Sequence, residues 1–140
     1  MRVWRLIAED GVSAAEGLAA DEALMLHHAR AAQEPCEASM RLYTYAPHSA
    51  LVGRYQSLEA EVDLAACRRL GVQVGRRPTG GGAIIMGPGQ LGVAIATRAP
   101  AGLSPRDLLR RFAGGIITGL AGLGIEATFA GKNDLQVAGS

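Results

Sequence analysis

Apolar residues in this chain fall in short alternating runs separated by glycine- and proline-marked turns, a pattern that predicts many short strands and few helices. Residues 3–7 read as a short strand. Ser13 and Glu16 then have capping-box spacing, in which the hydroxyl and the carboxylate satisfy free amides at a helix start. That helix is expected to run to about residue 32 and to bury Leu18, Met25 and Ala29. His27 and His28 ride on it with no partner at metal-ligand spacing, so both read as solvated or core-edge side chains. Residues 40–45 and 50–53 read as two strands across a turn at Pro47.

Asp63 is placed to cap a short helix ending at Leu70, where Gly71 supplies a left-handed stop. Residues 72–77 form the next strand, and strands over 83–86 and 91–97 are split by Gly87-Pro88-Gly89. Ser104-Pro105-Arg106-Asp107 opens a second long helix, with a capping serine, proline at the first helical position and an acid in the first turn. Leu108, Phe112, Ile116, Leu120 and Leu123 give its apolar stripe, and Gly124 is expected to end it. Residues 127–129 and 133–137 are the last strands. Strands outnumber helices and the connections have hairpin length. The fold class is therefore α+β with a largely antiparallel or mixed sheet and flanking helices, in preference to a doubly wound parallel sheet.

Composition narrows the class. Of 140 residues, 49% are hydrophobic and 19% charged, the balance of a globular domain. Aromatic residues make up only 4% and there are 19 glycines, so the core must come from Leu, Ile, Val and Ala with close backbone approaches. Fourteen basic against thirteen acidic residues give a net charge of +1, without the basic excess of a nucleic-acid-coating protein. No apolar run is long enough to predict a membrane span. Cys36 and Cys67 lack any CxxC spacing and read as structural. No signal-type stretch follows Met1, which makes a cytoplasmic location the default.

The run that carries chemistry is Arg76-Arg77-Pro78-Thr79-Gly80-Gly81-Gly82-Ala83-Ile84. Three consecutive glycines lose extra backbone entropy on folding and are kept where the backbone turns sharply or approaches another group. Free N–H groups beside guanidinium forks suit a phosphate or carboxylate. The run is not a nucleotide P-loop, because the Lys-Ser/Thr ending is missing and a strand follows. On spacing alone, a tight turn with its arginines in solvent explains it equally well. Strand alternation favours a ligand site. Val72, Val74 and Arg76 share one face, so Arg76 is expected to end a buried stripe and to need an anionic partner, while Arg77 lies with Gln73. In the next strand, Gly92, Ala94 and Ala96 form a small-residue face that suits a closely approaching ligand or a packed helix.

These residues resemble the biotin/lipoate protein ligase family, and within it the lipoate-protein ligase branch. The run from Arg76 to Ala83 is similar to the family's Arg-Arg-x-Ser/Thr-Gly-Gly-Gly-Ala signature. Residues 18–24 (LAADEAL) resemble its first-helix segment, and residues 51–56 (LVGRYQ) its Ile-Gly-Arg-x-Gln strand. Gly131-Lys132-Asn133-Asp134-Leu135 resembles its Gly-Arg/Lys-Asn-Asp-Leu motif. The likeness runs in order from Val3 to Ser140.

The resemblance implies a fold shared with biotin ligases and class II aminoacyl-tRNA synthetases, with residues 1–140 as the N-terminal portion of one catalytic domain. It implies two-step chemistry. ATP and lipoate give lipoyl-adenylate, and the acyl group then passes to a lysine of a lipoyl domain, on 2-oxoacid dehydrogenase complexes or the glycine cleavage H protein. By the same resemblance, Arg76, Gly81, Gly82, Ala83 and Ile84 contact the lipoyl-adenylate. Asn133 and Asp134 lie near its phosphate, with Asp134 helping to hold Mg²⁺. Two departures stand out. Met86-Gly87 replace a family His-Asp pair, and the family's catalytic lysine is expected beyond Ser140, supplied by a complementing C-terminal segment or subunit. Lys132 is not its positional substitute. Two alternatives stay open: a non-catalytic acyl-adenylate- or lipoate-binding module, and an octanoyl or lipoyl transferase relative. The absence of cysteine in residues 128–134 favours a ligase over a thioester-forming transferase, and the Asn133-Asp134 pair favours lipoate over biotin.

Overall fold

A computed structural model of the chain describes residues 3–30, 36–98, 102–131 and 134–137, with the side chains of 36 and 37 outside that description. It divides into two compact units, Met1–Arg98 and Ala99–Ser140.

The first unit is built from two strand–helix–strand crossovers, each extended by one antiparallel strand. In the first crossover, β1 (Val3–Val12) leads through α1 (Ala14–Arg30) to β2 (Cys36–Tyr45), which lies parallel to it. In the second, β3 (Ser49–Val52) leads through α2 (Leu58–Glu61) and α3 (Leu64–Leu70) to its parallel partner β4 (Gln73–Arg76). A parallel pair needs a crossover of this kind, because a tight turn can only reverse the chain. β5 (Ile84–Met86) then adds antiparallel to β3, and β6 (Gly92–Thr97) antiparallel to β2. The resulting sheets have the orders β1-β2-β6 and β4-β3-β5, so both are mixed.

The turns at Pro47 and at residues 87–89 therefore carry the chain between sheets and do not close hairpins. β3 explains the choice: all four of its residues are buried, and it takes the centre of its sheet. The second unit holds α4 (Pro105–Ala121) and the hairpin of β7 (Ala127–Ala130) with β8 (Asp134–Val137). Among the described residues no helix is long and apolar enough to cross a membrane.

Local signals set the helix ends. The Ser13 N–H and hydroxyl donate to the Glu16 carboxylate at 3.0 and 2.7 Å, and Ser104 and Asp107 repeat the arrangement at 3.3 and 2.6 Å. Asp63 accepts from the Ala66 N–H at 2.9 Å, and Gly71 closes α3 in the left-handed region at φ 66°. α4 stops at Ala121, and the left-handed Gly124 (φ 79°) closes the turn that follows. Leu123, expected on its apolar stripe, is exposed, whereas Ala113 is buried.

The serine hydrogen bonds hold the Glu16 and Asp107 carboxyls below their ordinary pKa. A depressed carboxyl contributes stability above its unfolded value, and that contribution is lost as pH falls through the folded one. The Ser13 and Ser104 amide proton shifts should accordingly titrate with midpoints below about pH 4, the ordinary carboxyl range. Midpoints at or above that range in an NMR titration would remove the capping boxes.

Leu18 packs on the core as expected, but farther along α1 the buried face lies one residue before the predicted Met25 and Ala29. Ala14, Gly17, Leu24 and His28 are buried, while Met25 is exposed. Gly17 sets this phase, since a methyl group there would lie 2.7 Å from the Tyr45 hydroxyl oxygen. Two polar residues occupy the same face because each has a partner. His28 is hydrogen-bonded to Ser39 at 2.9 Å, and Asp21 accepts from Arg41 and from the Tyr43 hydroxyl, both at 2.9 Å.

Arg41 is only 1% exposed. Its Nε donates to Glu9 and its Nη1 also donates to the Gly17 carbonyl at 3.0 Å. Nη2 has no hydrogen-bond acceptor, but the guanidinium lies 4.0 Å from the Tyr43 ring centroid, whose π face attracts a cation. Burial alone would lower the Arg41 pKa; the hydrogen bonds and charges of Glu9 and Asp21 outweigh it and the net direction is up. Burial first, then Asp21, pushes the Tyr43 phenol up. Ala14, Tyr43, Tyr45 and Leu51 form the core, with Val12, Leu18, Met86 and Ala94 packed around them.

Candidate functional site

The glycine run forms an exposed loop between β4 and β5, and its shape is set by the turn after β3. Continuing the β3–β4 pairing, the Arg77 N–H donates to the Val52 carbonyl at 2.8 Å, and the Arg54 N–H to the Thr79 carbonyl at 2.9 Å. Gly53 lies beneath the loop. A side chain on it would overlap the Gly81 carbonyl oxygen and lie 3.1 Å from the carbonyl carbon, so only glycine fits. The Gln56 side chain accepts from the Gly53 N–H at 2.8 Å and fixes that turn. Gly81 has φ 99°, a left-handed conformation that side-chain-bearing residues rarely adopt.

Both arginines are tied to backbone carbonyls. Arg76 Nη1 donates to the carbonyls of Gly53, Arg54 and Gln56 at 3.0, 3.2 and 2.7 Å. Arg77 Nη2 donates to the Gly82 carbonyl at 2.6 Å, and its Nε is buried without a hydrogen-bond partner. Among the described residues neither guanidinium is paired with a carboxylate. The loop therefore lies beside two guanidiniums that are held by carbonyls and not by carboxylates.

Both faces of β4 are half-buried up to Gly75. Gln73 and Gly75 point to α1: Gln73 accepts from the Ala14 N–H at 2.6 Å, and a methyl group on Gly75 would lie 2.9 Å from Leu18 Cδ1. Arg76 is exposed and does not end a buried stripe, while Arg77 is half-buried. The alternation was real, but a side chain-free glycine marks the side packed on α1, which hydrophobicity cannot show.

Peptide geometry decides which way the loop's donors point. The Gly81–Gly82 and Gly82–Ala83 bonds are trans, the cis bond being Ala46–Pro47. In a trans peptide the C=O and N–H point in opposite directions. The Gly81 carbonyl is turned onto Gly53 and the Gly82 carbonyl onto Arg77, so the N–H groups of Gly82 and Ala83 point away from both. Neither donates to a backbone carbonyl among the described residues. A side chain on Gly80 or Gly82 would meet nothing within 4 Å, so the outer side of the loop is open. Successive outward N–H groups with nearby guanidinium charge suit a phosphate or carboxylate. Ile84 (39% exposed) and Ile85 (55%) follow immediately and present apolar surface beside the polar cradle.

Arg76, Gly81, Gly82, Ala83 and Ile84 are thus gathered around one loop. Asp134, the exposed first residue of β8, belongs to the second unit, and Asn133 lies outside the described residues. Among the described residues no group of three His, Cys, Asp or Glu side chains could enclose a metal ion, so Asp134 stands as a single carboxylate. That is compatible with Mg²⁺ only where phosphates and water complete its shell. Gly53, Gln56 and Arg77 shape the site and were not among the residues singled out, although Gly53 and Gln56 stand in the LVGRYQ stretch. The small face of β6 serves packing: Ala94 lies on the core cluster, and a side chain on Gly92 would lie 2.5 Å from the Tyr43 ring. Gly87 is buried, and a side chain there would lie 2.7 Å from His48 Nε2, while Met86 packs on the core. Cys67 is a free, half-buried thiol, and Cys36 opens β2.

The sequence model of the lipoyl protein ligase A/B catalytic domain matches residues 13–140. The chain belongs to the lipoyl protein ligase A/B family. An octanoyltransferase LipM of Kyrpidia tusciae is 33% identical over 132 residues, covering 93% of this chain and 47% of that protein. Among solved structures, a bi-partite lipoate protein ligase of Thermoplasma acidophilum, described with its E2 lipoyl domain, is similar with a TM-score of 0.84 and 26% identity. That match covers 99% of this chain and 52% of the other. A lipoate-protein ligase A bound with ATP matches with a TM-score of 0.79 and 29% identity, over 96% of this chain and 52% of the other. The chain spans about half the length of these relatives. The mixed α+β architecture is that of the lipoate-protein ligases, which have the class II aminoacyl-tRNA synthetase-like fold.

Proposed function

We propose that this chain carries the acyl-adenylate cradle of a cytoplasmic enzyme that activates lipoate with ATP and transfers it to a lysine of a lipoyl domain. The acceptors in this reading are 2-oxoacid dehydrogenase complexes or the glycine cleavage H protein. The observation that carries it is the pair of outward N–H groups at Gly82 and Ala83, beside carboxylate-free arginines and the apolar Ile84–Ile85 step. A lipoate carboxylate oxygen attacks the α-phosphorus of ATP and pyrophosphate leaves. The lysine amine then attacks the acyl carbonyl, AMP leaves, and the amine loses a proton. Negative charge grows on the α-phosphate in the first step, where fixed N–H donors and Arg76 act without reorganising. Asp134, with Asn133 beside it in sequence, supplies the carboxylate for Mg²⁺, and the transfer lysine comes from outside residues 1–140.

The LipM relatives favour a second reading, octanoyl transfer without ATP. The test incubates the protein, joined by the segment or subunit that supplies the transfer lysine, with an unmodified lipoyl domain, Mg²⁺, ATP and lipoate. Release of pyrophosphate together with a lipoylated lysine is the expected result. Octanoyl transfer from an octanoyl-carrier protein without ATP selects the second reading. Binding of an acyl-adenylate analogue without either reaction marks a binding module, and no binding and no reaction overturn all three.

A further inference from the structure

We propose that β1 is the edge through which two copies of this chain pair, antiparallel and centred on Ile7, so that their sheets join into one. β1 is ten residues long and, among the described residues, is paired on one side only, in the sheet order β1-β2-β6. An edge strand presents a row of free N–H and C=O groups to any strand that fits it, and natural edges are blunted by proline, bulges or charge. The stretch from Trp4 to Glu9 has no proline and keeps an unbroken register with β2, the register shifts lying at its two ends. Charge is the device that remains, and its order along β1 is self-complementary.

When two copies extend a sheet about a twofold axis, the residue at the axis meets its own copy, and side chains stay on their own face. With Ile7 at the axis, Arg5 stands opposite Glu9 of the second copy, because the two charges lie two residues to either side of Ile7. Centring on Leu6 sets Arg5 against Ile7, and centring on Ala8 sets it against Gly11. Opposite charges directly across an antiparallel pair attract, so the Ile7 register is favoured over both neighbours. Arg5 is exposed and has no ion pair among the described residues. Glu9 gives one carboxylate oxygen to Arg41 and is 39% exposed, which leaves the other oxygen for Arg5 of the second copy. On the other face, Leu6, 65% exposed, stands opposite Ala8 and diagonally beside Leu6 of the second copy, within reach of a long side chain. Trp4 stands opposite Asp10, an acceptor for its indole N–H. The occupant this edge fits is therefore a second copy of itself.

The test is sedimentation equilibrium of the full chain, with hydrogen exchange to locate the contact. The wild type should show a reversible monomer–dimer equilibrium, and protection of β1 amides between residues 4 and 9 should rise with protein concentration. Arg5→Glu should weaken the dimer about tenfold or more, since two cross-strand attractions become two repulsions. Arg5→Ala should fall between that variant and the wild type, and it carries the test if Arg5→Glu does not fold. A monomer at every concentration up to about 1 mM overturns the proposal. So does a dimer that Arg5→Glu leaves within twofold of wild type, or one that protects amides elsewhere and not those of β1. The same measurements are repeated with the segment or subunit that supplies the transfer lysine. A one-to-one complex that protects the β1 amides and abolishes the dimer would make that segment the occupant of the edge and overturn self-pairing.

Discussion

Arg41→Met is expected to lower the unfolding free energy by about 3 kcal/mol, near the low end of what removing one partner of a buried ion pair does. Arg41 is fully buried, and three of its contacts lie on three different elements: Glu9 on β1, Gly17 on α1 and its own strand β2 through the Tyr43 ring. Methionine fills much of the volume, so the loss comes from the groups left behind. The Gly17 carbonyl would lose its side-chain donor, and Asp21 would keep only the Tyr43 hydroxyl. Glu9, 39% exposed, can turn to water, which keeps the effect from being larger. Arg41→Lys should recover little, because one ammonium cannot span the positions that a planar fork reaches. Urea unfolding of both variants measures this, and a loss under about 1 kcal/mol for Arg41→Met would show the network to be ornamental.

Gly81→Val is expected to weaken binding of the octanoyl-sulfamoyl-adenosine analogue about a hundredfold, the sum of two charge-assisted hydrogen bonds at the lower end of their range. The left-handed φ of 99° is closed to a β-branched residue, so the loop must find another path. The Gly81 carbonyl then leaves Gly53, and both outward amides turn. Backbone strain adds a stability loss of about 1–3 kcal/mol. The loop is exposed and the core cluster lies elsewhere, so the fold should survive. Calorimetric titration gives the affinity and urea unfolding the stability. Unchanged affinity in a folded variant would leave the loop as a turn and nothing more.

What the sequence showed clearly was local. Ser13 with Glu16, Asp63 with Gly71 and Ser104 with Asp107 mark helix ends, and each works through atoms within a turn or two of chain. Partner choice between strands was not readable, because β2 and β6, or β3 and β5, meet through packing of residues far apart in sequence. The buried stretch of α1 beyond Leu18 and the α1-facing side of β4 were misread for one reason. Gly17 and Gly75 have no side chain to count, yet they mark where another group comes closest, and Asp21 and His28 count as polar although partners hold them inside. The glycine loop was legible as a composition. The orientation of its peptides was not, since that depends on Gly53 and Arg77 meeting it in space.

β1 shows what the buried polar network does beyond holding charge. Most of this edge strand is exposed on both sides, with Val3, Trp4 and Leu6 open to solvent, so alternation of apolar residues cannot fix which residue pairs with which. Ile7 lies opposite Arg41 and Glu9 opposite Tyr43, the alignment that lets the Glu9 carboxylate reach the guanidinium. Near the end of the strand, Thr44 donates to Asp10 and accepts from the Gly11 N–H. Sliding β1 by one residue would break all of these at once. The alignment of the outermost strand is thus written in charges and hydroxyls, and the address of β1 on its sheet is kept by side chains that lie outside the apolar core.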